Sequence, residues 1–281
     1  MATSHGDTVV LIHGLWMTPR SWEHWKERYE SRGHRVIAPA WPGMEAEVEA
    51  LRADPAPLTK LDFKRVADSY ERIIRELDSP PIIMGHSIGG SVTQVLLDRG
   101  LGSAGVGIAP ATVKGVYDLP LSTIRASRPV LGNPLNRGKA TPLDKKQFHY
   151  AFGNTLTREE SDAVHERYAV PAANRVLFDV ALANFSRNAP TKVDFEKPDR
   201  APYLAIAFDE DHIVPPKAAR HNTEKYKSGT VAFTSFPGRP HFPGVPGWED
   251  VADYALEWAT EHARERDGGG AAAAAAQSTP A

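Results

Sequence analysis

Short apolar runs alternate with segments of helical periodicity along most of this chain, and that alternation limits the possible folds more than any other feature. The runs read as buried strands because they are continuously apolar and lie between turn residues. Helical stretches separate most of them, as in the crossover connections of a parallel sheet. The pattern predicts an α/β fold with a mostly parallel central sheet of about six strands flanked by helices, the strands being Thr8–Ile12, 35–38, 82–84, Ala104–Ile108, Tyr203–Phe208 and Val231–Phe236.

The composition narrows the possible partners. The chain has 281 residues, of which 41% are hydrophobic, and a formal net charge of −2 without any Lys/Arg-rich run. Nucleic acids and anionic membranes are bound through clustered cationic charge, so neither is an expected partner. No apolar run is long enough to span a bilayer. We expect a small-molecule substrate as the partner, and the composition leaves the oligomeric state open.

The absence of cysteine excludes several chemistries. Zero cysteines rule out disulfides, thiolate metal sites and a Cys nucleophile. The first seven residues also lack the basic and apolar pattern of a secretory signal. Together these features favour a cytoplasmic location.

The most informative motif is Gly85-His86-Ser87-Ile88-Gly89, which stands between a predicted strand and a predicted helix. A sharp strand-to-helix turn strains its central residue and needs small residues two positions before and after it. Gly85 and Gly89 meet that need. Such a turn raises the Ser87 hydroxyl above the sheet and places the Ile88 N–H at a helix N-terminus, where it can stabilise developing negative charge. Ser87 is therefore the predicted nucleophile.

A serine hydroxyl needs a base, most often a histidine that a carboxylate orients. His241 lies in the rigid loop 237–247 (PGRPHFPGVPG), directly after a predicted strand, where its side chain can be held over the sheet edge. We predict that His241 is the base. The carboxylate should come from the loop after the strand Tyr203–Phe208, and the residues alone do not choose among Asp209, Glu210 and Asp211.

The segment His13-Gly14-Leu15-Trp16 follows the first predicted strand. Because Gly14 has no Cβ, the backbone can turn back towards the serine, so a following N–H can face the same point as the Ile88 N–H. Two such donors form an oxyanion hole, and each member typically contributes about 2.7 to 4 kcal/mol to lowering the barrier. His13 is expected to be a buried hydrogen-bonding residue rather than an acid or base.

Four motifs in this order, HGLW, GHSIGG, FDEDHIVPP and GRPHFPG, resemble the α/β-hydrolase superfamily, in its serine esterase and haloperoxidase-like branch with a helical lid. The resemblance implies Ser87 as nucleophile, His241 as base, and Asp211 as the acid of a D-x-x-V-P pattern. It also implies that the N–H groups of Leu15 and Ile88 form the oxyanion hole. It implies no metal and no organic cofactor. Because only seven residues precede the first predicted strand, the sheet is expected to lack the antiparallel opening hairpin that is usual in the family.

The expected domain organisation follows from the motifs and from the longest interval without a clear strand. Residues 1–110 and 197–267 are predicted to form the α/β-hydrolase core, 111–196 an inserted helical lid, and 268–281 a disordered Gly/Ala-rich tail. The substrate pocket is expected to be apolar. Six residues just past strand ends or in the lid are predicted to line it: Trp16, Met17, Trp41, Phe148, Phe152 and Phe178. For the aromatic residues of the lid, the competing interpretation is that they pack the lid onto the body.

The predicted function is a carboxylesterase-like serine hydrolase that cleaves a carboxylic ester or lactone of a small, largely apolar substrate through an acyl-enzyme. The same residues would serve a carbon–carbon hydrolase, thioesterase, amidase or cofactor-free perhydrolase. A ligand receptor or binding module with slow residual hydrolysis is the alternative from a different class. The natural substrate and any motion of the lid are left open by the sequence.

Overall fold

The computed structural model describes residues 8–277, and the side chains of residues 8–263. Its strands are β1 (Thr8–Ile12), β2 (Arg35–Ile37), β3 (Ile82–His86), β4 (Ala104–Ile108), β5 (Ala140–Thr141), β6 (Ala172–Ala173), β7 (Tyr203–Phe208) and β8 (Val231–Phe236). Six of them form the central sheet in the order β2-β1-β3-β4-β7-β8, while β5 and β6 form a separate antiparallel pair. Every pairing in the central sheet is parallel. The predicted parallel sheet of about six strands is confirmed.

Helices flank the sheet and fill the interval between β4 and β7. They are α1 (Glu23–Ser31), α2 (Val48–Ala53), α3 (Phe63–Arg75), α4 (Ile88–Asp98), α5 (Leu121–Leu131), α6 (Lys145–Phe152), α7 (Arg158–Tyr168), α8 (Asn174–Ala181), α9 (Pro216–Glu224) and α10 (Trp248–Gln277). The sequence patterns missed α2 and α5. Helix α5 contains Pro129. Proline lacks the backbone N–H that a helix interior uses, so a segment with an internal proline is not predicted as a helix.

Two apolar cores cover the two faces of the sheet because successive side chains of a strand point to opposite sides. Along β1, Val10 and Ile12 pack into the core that contains α3, α4 and the segment between β4 and β7. Val9 and Leu11 pack into the opposite core with α1 and α10. Burial on both faces explains why the strands are continuously apolar in sequence.

The strand order brings the loops that follow β1 and β3 together at the carboxyl ends of these strands. From β1 the chain crosses to β2 on one side, whereas β3 and β4 lie on the other side. The connections therefore diverge at the boundary between β1 and β3, and crevices form at the carboxyl ends of strands at such a switch point. The loop after β1 carries Gly14 and Leu15, and the turn after β3 carries Ser87.

The interval 111–196 holds α5 to α8 and the β5–β6 pair; its role as a lid stays a prediction. The predicted tail 268–281 overlaps the end of α10, and residues 278–281 lie outside the described residues, so its disorder also stays a prediction. Within the described part of the chain, no helix is long and apolar enough to cross a bilayer.

Candidate active site

Ser87 lies in a strained turn between β3 and α4. Its backbone has φ 53° and ψ −117°, a positive φ that non-glycine residues rarely adopt. The turn is held from both sides, since the Ser87 N–H donates to the Ile108 carbonyl at 3.0 Å and the Ser87 carbonyl accepts from Ala111 N–H at 2.9 Å. A Cβ on Gly89 would collide with the Ile12 carbonyl, so α4 can approach β1 only with glycine there. The geometry is that of a nucleophile elbow.

The loop after β1 approaches the elbow closely. A Cβ placed on Gly14 would lie 2.8 Å from His86 Nδ1 and 3.1 Å from Ser87 Cβ, so glycine is required for this approach. Leu15 and Ile88 line the same cavity as Ser87. Ile88 is the first residue of α4, so its N–H has no acceptor within the helix. Both predicted oxyanion donors thus belong to residues beside Ser87.

Trp16, the next residue of that loop, fixes the loop against the insertion. Its backbone has φ 63°, and its carbonyl accepts from Val170 N–H at 2.9 Å. Its indole N–H donates to the Thr141 carbonyl at 3.1 Å. These two hydrogen bonds tie the loop after β1 to segments near β5 and β6, and so hold Leu15 in place.

His241 and Asp211 form a buried pair in which both side chains have 0% exposure. His241 Nδ1 lies 2.6 Å from Asp211 Oδ2. The other carboxylate oxygen of Asp211 accepts from the N–H groups of Ile213 at 2.7 Å and Val214 at 2.8 Å. A carboxylate held in this way fixes the orientation and tautomer of the imidazole, with the proton on Nδ1 and the lone pair on Nε2.

The three acidic candidates of the loop after β7 differ in burial. Asp209 and Glu210 are exposed, whereas Asp211 is buried against His241. Among the three, only the side chain of Asp211 is hydrogen bonded to a histidine in the described part of the chain. Of the three, Asp211 is thus the one placed to orient His241, in agreement with the D-x-x-V-P resemblance; its role as the acid stays a prediction.

His86 connects the elbow to the loop that carries His241. Its Nε2 lies 3.0 Å from the His241 carbonyl oxygen, so Nε2 carries the proton and donates it. The two rings are 4.6 Å apart between centroids. The residue before the proposed nucleophile thus anchors the backbone of the proposed base. His241 Nε2 is buried and has no hydrogen-bond partner among the described residues, so it is not bonded to Ser87 Oγ.

Besides His241, two buried histidines lie near the elbow, His13 and His86, and burial keeps both neutral at pH 7. Complete burial lowers the pKa of His13 from 6.5 to about 4. His13 accepts a hydrogen bond from the Trp41 N–H at 3.3 Å and stacks on its indole. Burial, together with the nearby His241 ring, lowers the pKa of His86 well below its ordinary value. His13 is a buried hydrogen-bonding residue, as expected from the sequence.

These histidines make the fold sensitive to mild acid. Between about pH 8 and about pH 5 we expect His13 alone to lower the free energy of unfolding by about 2 kcal/mol. The unfolded chain binds the proton near pH 6.5, whereas native His13 binds it only near pH 4, so protons favour the unfolded chain in this range. His86 adds to the loss in the same direction. Urea titrations at the two pH values measure the difference.

His13→Gln should reduce this pH dependence, because glutamine has no group that titrates in the range. An unfolding free energy of the wild type that is flat over the range would contradict the assignment. The range also lies above the ordinary pKa values, 4.5 or 3.8, of the carboxylates whose pKa is lowered in the fold, and these groups lose their contribution to stability mainly below those values. They are Glu23, Asp68, Glu71, Glu160, Glu166 and Asp253.

A cavity of about 240 Å³ opens beside Ser87. Ser87, Leu15 and Ile88 contribute to its wall, and Trp16 lies next to them. His241 is fully buried and is not among the residues that line the cavity. Among the described residues that line the cavity, only Asp118 carries a charge. The cavity therefore suits an uncharged, largely apolar group next to the serine.

Of the six predicted pocket residues, Trp16 lines this cavity and the other five do not: Met17, Trp41, Phe148, Phe152 and Phe178. These five are buried in the cores instead. Phe148 and Phe152 stack on each other at 4.9 Å, and Phe152 presents its edge to His241 at 5.1 Å. These aromatics pack the insertion against the body, which is the interpretation that competed with substrate contact.

The wall that sequence reasoning missed comes mainly from aliphatic residues of the insertion and of the loop after β7. Aliphatic side chains on a helix carry no signal that separates a cavity wall from a core, because both are apolar. The missed lining residues include Val116, Tyr117, Leu119, Leu131, Leu177, Val180 and Ile213.

A parallel sheet with a strained serine at its carboxyl edge and a buried His–Asp pair defines the class of α/β hydrolases. The chain belongs to the alpha/beta hydrolase family, whose profile matches residues 9–254. A search of curated proteins finds no match.

Solved structures share the fold. A pyrethroid hydrolase from Sphingobium faniae JZ-2 is 18% identical with a TM-score of 0.66, covering 92% of this chain and 98% of its own. A monoacylglycerol lipase from Paleococcus ferrophilus is 19% identical with a TM-score of 0.60, covering 92% and 96%. An extracellular α/β-hydrolase from a Paenibacillus species is 20% identical with a TM-score of 0.63, covering 90% and 98%. At these identities the likeness shows the fold alone.

Proposed function

We propose that this protein is a serine hydrolase that cleaves a carboxylic ester or lactone of a small, largely apolar substrate through an acyl-enzyme on Ser87. The observation that carries the proposal is the buried Asp211–His241 hydrogen bond of 2.6 Å next to a strained serine that lines an apolar cavity. A structural role alone does not call for both a strained serine and a buried histidine that is hydrogen bonded to a carboxylate, at the carboxyl ends of the same sheet.

In the first half-reaction the Ser87 Oγ attacks the ester carbonyl carbon while His241 Nε2 takes the hydroxyl proton. The unpartnered, buried Nε2 is free to accept that proton. The hydrogen bond between Oγ and Nε2 forms as substrate binds, since such bonds tighten in the complex. The N–H groups of Leu15 and Ile88 stabilise the oxyanion, and Asp211 stabilises the imidazolium.

The bond between the carbonyl carbon and the leaving oxygen then breaks, and His241 gives its proton to the departing alcohol. In the second half-reaction a water attacks the acyl-enzyme carbonyl while His241 takes its proton. Collapse of this intermediate releases the acid and returns the proton to Ser87. No proton is gained or lost by the protein over the cycle.

The experiment that tests the proposal is a substrate panel of short p-nitrophenyl esters, lactones, thioesters and anilides. The proposal predicts multiple turnovers on esters or lactones, with lower kcat/KM on thioesters and anilides. A preference for anilides or thioesters would reassign the bond that is cleaved. A single slow turnover on every substrate would indicate a receptor and overturn the proposal.

His86 provides a further test because it anchors the base without touching substrate. His86→Leu removes the donor to the His241 carbonyl, and we expect kcat to fall about 10- to 100-fold with KM little changed, since misplacement of a base by about 1 Å costs that much. His86→Gln keeps an N–H donor and should retain more of the activity. Steady-state kinetics of both variants measure the difference. Equal kcat values for the leucine variant and the wild type would show that the anchor does not matter.

A further inference from the structure

Three apolar side chains at the mouth of the cavity are exposed to solvent. Tyr117 is 77%, Leu119 66% and Phe185 88% exposed, yet all three also line the cavity beside Ser87. We call these three residues the outer rim. Large apolar side chains at such exposure mark binding surfaces when they cluster. The rim is thus continuous with the site of the proposed reaction.

The outer rim is built by two segments that are fastened together. Asn184, in the turn just before Phe185, accepts a hydrogen bond from Gly115 N–H at 2.7 Å. Its side-chain amide donates to the Val116 carbonyl at 2.6 Å. These bonds hold Phe185 against the segment that carries Tyr117. The two segments therefore present their apolar side chains on one surface.

The size and charge of the cavity indicate which part of a substrate would contact the outer rim. About 240 Å³ is below the range of roughly 300 to 1,000 Å³ that encloses a drug-sized ligand. A substrate of that size would fill the cavity and extend over the rim. The carboxylate of Asp118, the one charged group of the described lining, is paired with His221 at 2.6 Å. An uncharged, apolar extension fits this mouth best.

We propose that the outer rim binds the distal apolar arm of the substrate, so that the substrate class is esters whose alkyl or aryl arm is longer than the cavity. This inference rests on the proposed function and names the substrate class of the same site. The arm covers Phe185 and Tyr117 when the scissile carbonyl is at Ser87. Binding of the rim to a membrane surface, or to a second copy of this chain, would be a different outcome of the test.

The test compares kcat/KM for p-nitrophenyl octanoate and p-nitrophenyl acetate, both below the concentration at which the octanoate forms micelles. The wild type is expected to prefer the octanoate. In Phe185→Ser and Tyr117→Ser the octanoate-to-acetate ratio should fall about 10-fold, mainly through a higher KM for the octanoate. Leu135→Ser is the matched control, since Leu135 is 79% exposed and does not line the cavity, and its ratio should equal that of the wild type.

An unchanged ratio in both rim variants would overturn the inference, as would an equal loss on the two esters. Binding of the wild type to phosphatidylcholine vesicles that Phe185→Ser abolishes, with an unchanged ratio, would assign the rim to a lipid surface. Loss of a dimer in gel filtration with an unchanged ratio would assign it to a second copy. Wild-type turnover of the acetate without preference for the octanoate defeats this inference alone. Turnover of neither ester defeats the proposed function as well.

Discussion

Replacement of Ser87 by alanine is expected to lower kcat on the best ester of the panel by about 10⁵- to 10⁶-fold, the loss typical of removing the nucleophile of a serine hydrolase. Alanine removes only the Oγ that would attack the carbonyl carbon, while the backbone hydrogen bonds of the elbow to Ile108 and Ala111 stay in place. KM should change little, because the cavity wall is intact. Stopped assays at high enzyme concentration measure the residual rate.

Ser103→Ala is the matched control for this variant. Ser103 is also buried, but it directly precedes β4 and so lies at the amino ends of the strands, whereas Ser87 lies at their carboxyl ends. Because of this placement, we expect its kcat to remain within about twofold of the wild type. A Ser87→Ala variant that kept the wild-type rate would show that another residue forms the covalent bond.

Asp211→Asn is expected to lower kcat by about 10⁴-fold while leaving the fold intact. The asparagine oxygen can still accept from the N–H groups of Ile213 and Val214, as Oδ1 of Asp211 does. Its NH₂ group then faces His241 Nδ1 and donates to it. The imidazole is forced into the tautomer with the proton on Nε2, which cannot accept the proton of Ser87.

The neighbouring acidic residues provide controls of the same chemistry. Asp209→Asn and Glu210→Gln change exposed carboxylates of the same loop, and both variants should stay within about twofold of the wild type. A loss in Asp209→Asn as large as that in Asp211→Asn would place the orienting carboxylate elsewhere. Thermal unfolding of all three variants separates loss of activity from loss of fold.

The sequence predicted the sheet and the elbow because both depend on local rules. Buried parallel strands must be continuously apolar, and the bounds of β7 and β8 coincide with the predicted runs. A strained strand-to-helix turn requires small residues at fixed positions, which Gly85 and Gly89 supply. His241 was predicted from its loop after a strand, and the structure places it beside Asp211.

The cavity wall could not be predicted in the same way, because tertiary packing decides which face of an inserted helix is exposed. Phe148 and Phe152 have the composition of a pocket wall but pack onto each other and onto His241. Leu177 and Val180 line the cavity although nothing in their pattern distinguishes them. Residue chemistry alone did not choose Asp211 over its two neighbours, and the D-x-x-V-P resemblance named it. Its burial and its hydrogen bond to His241 agree with that choice and depend on tertiary packing.

The most direct test of the central claim is the site of covalent modification. The native protein is treated with a fluorophosphonate, digested and analysed by mass spectrometry, with His241→Ala treated in parallel. If Ser87 is a nucleophile activated by His241, the adduct lies on the peptide that contains Ser87, and it forms far more slowly in His241→Ala. An adduct on a different residue, or equal labelling rates in the two proteins, would contradict the mechanism.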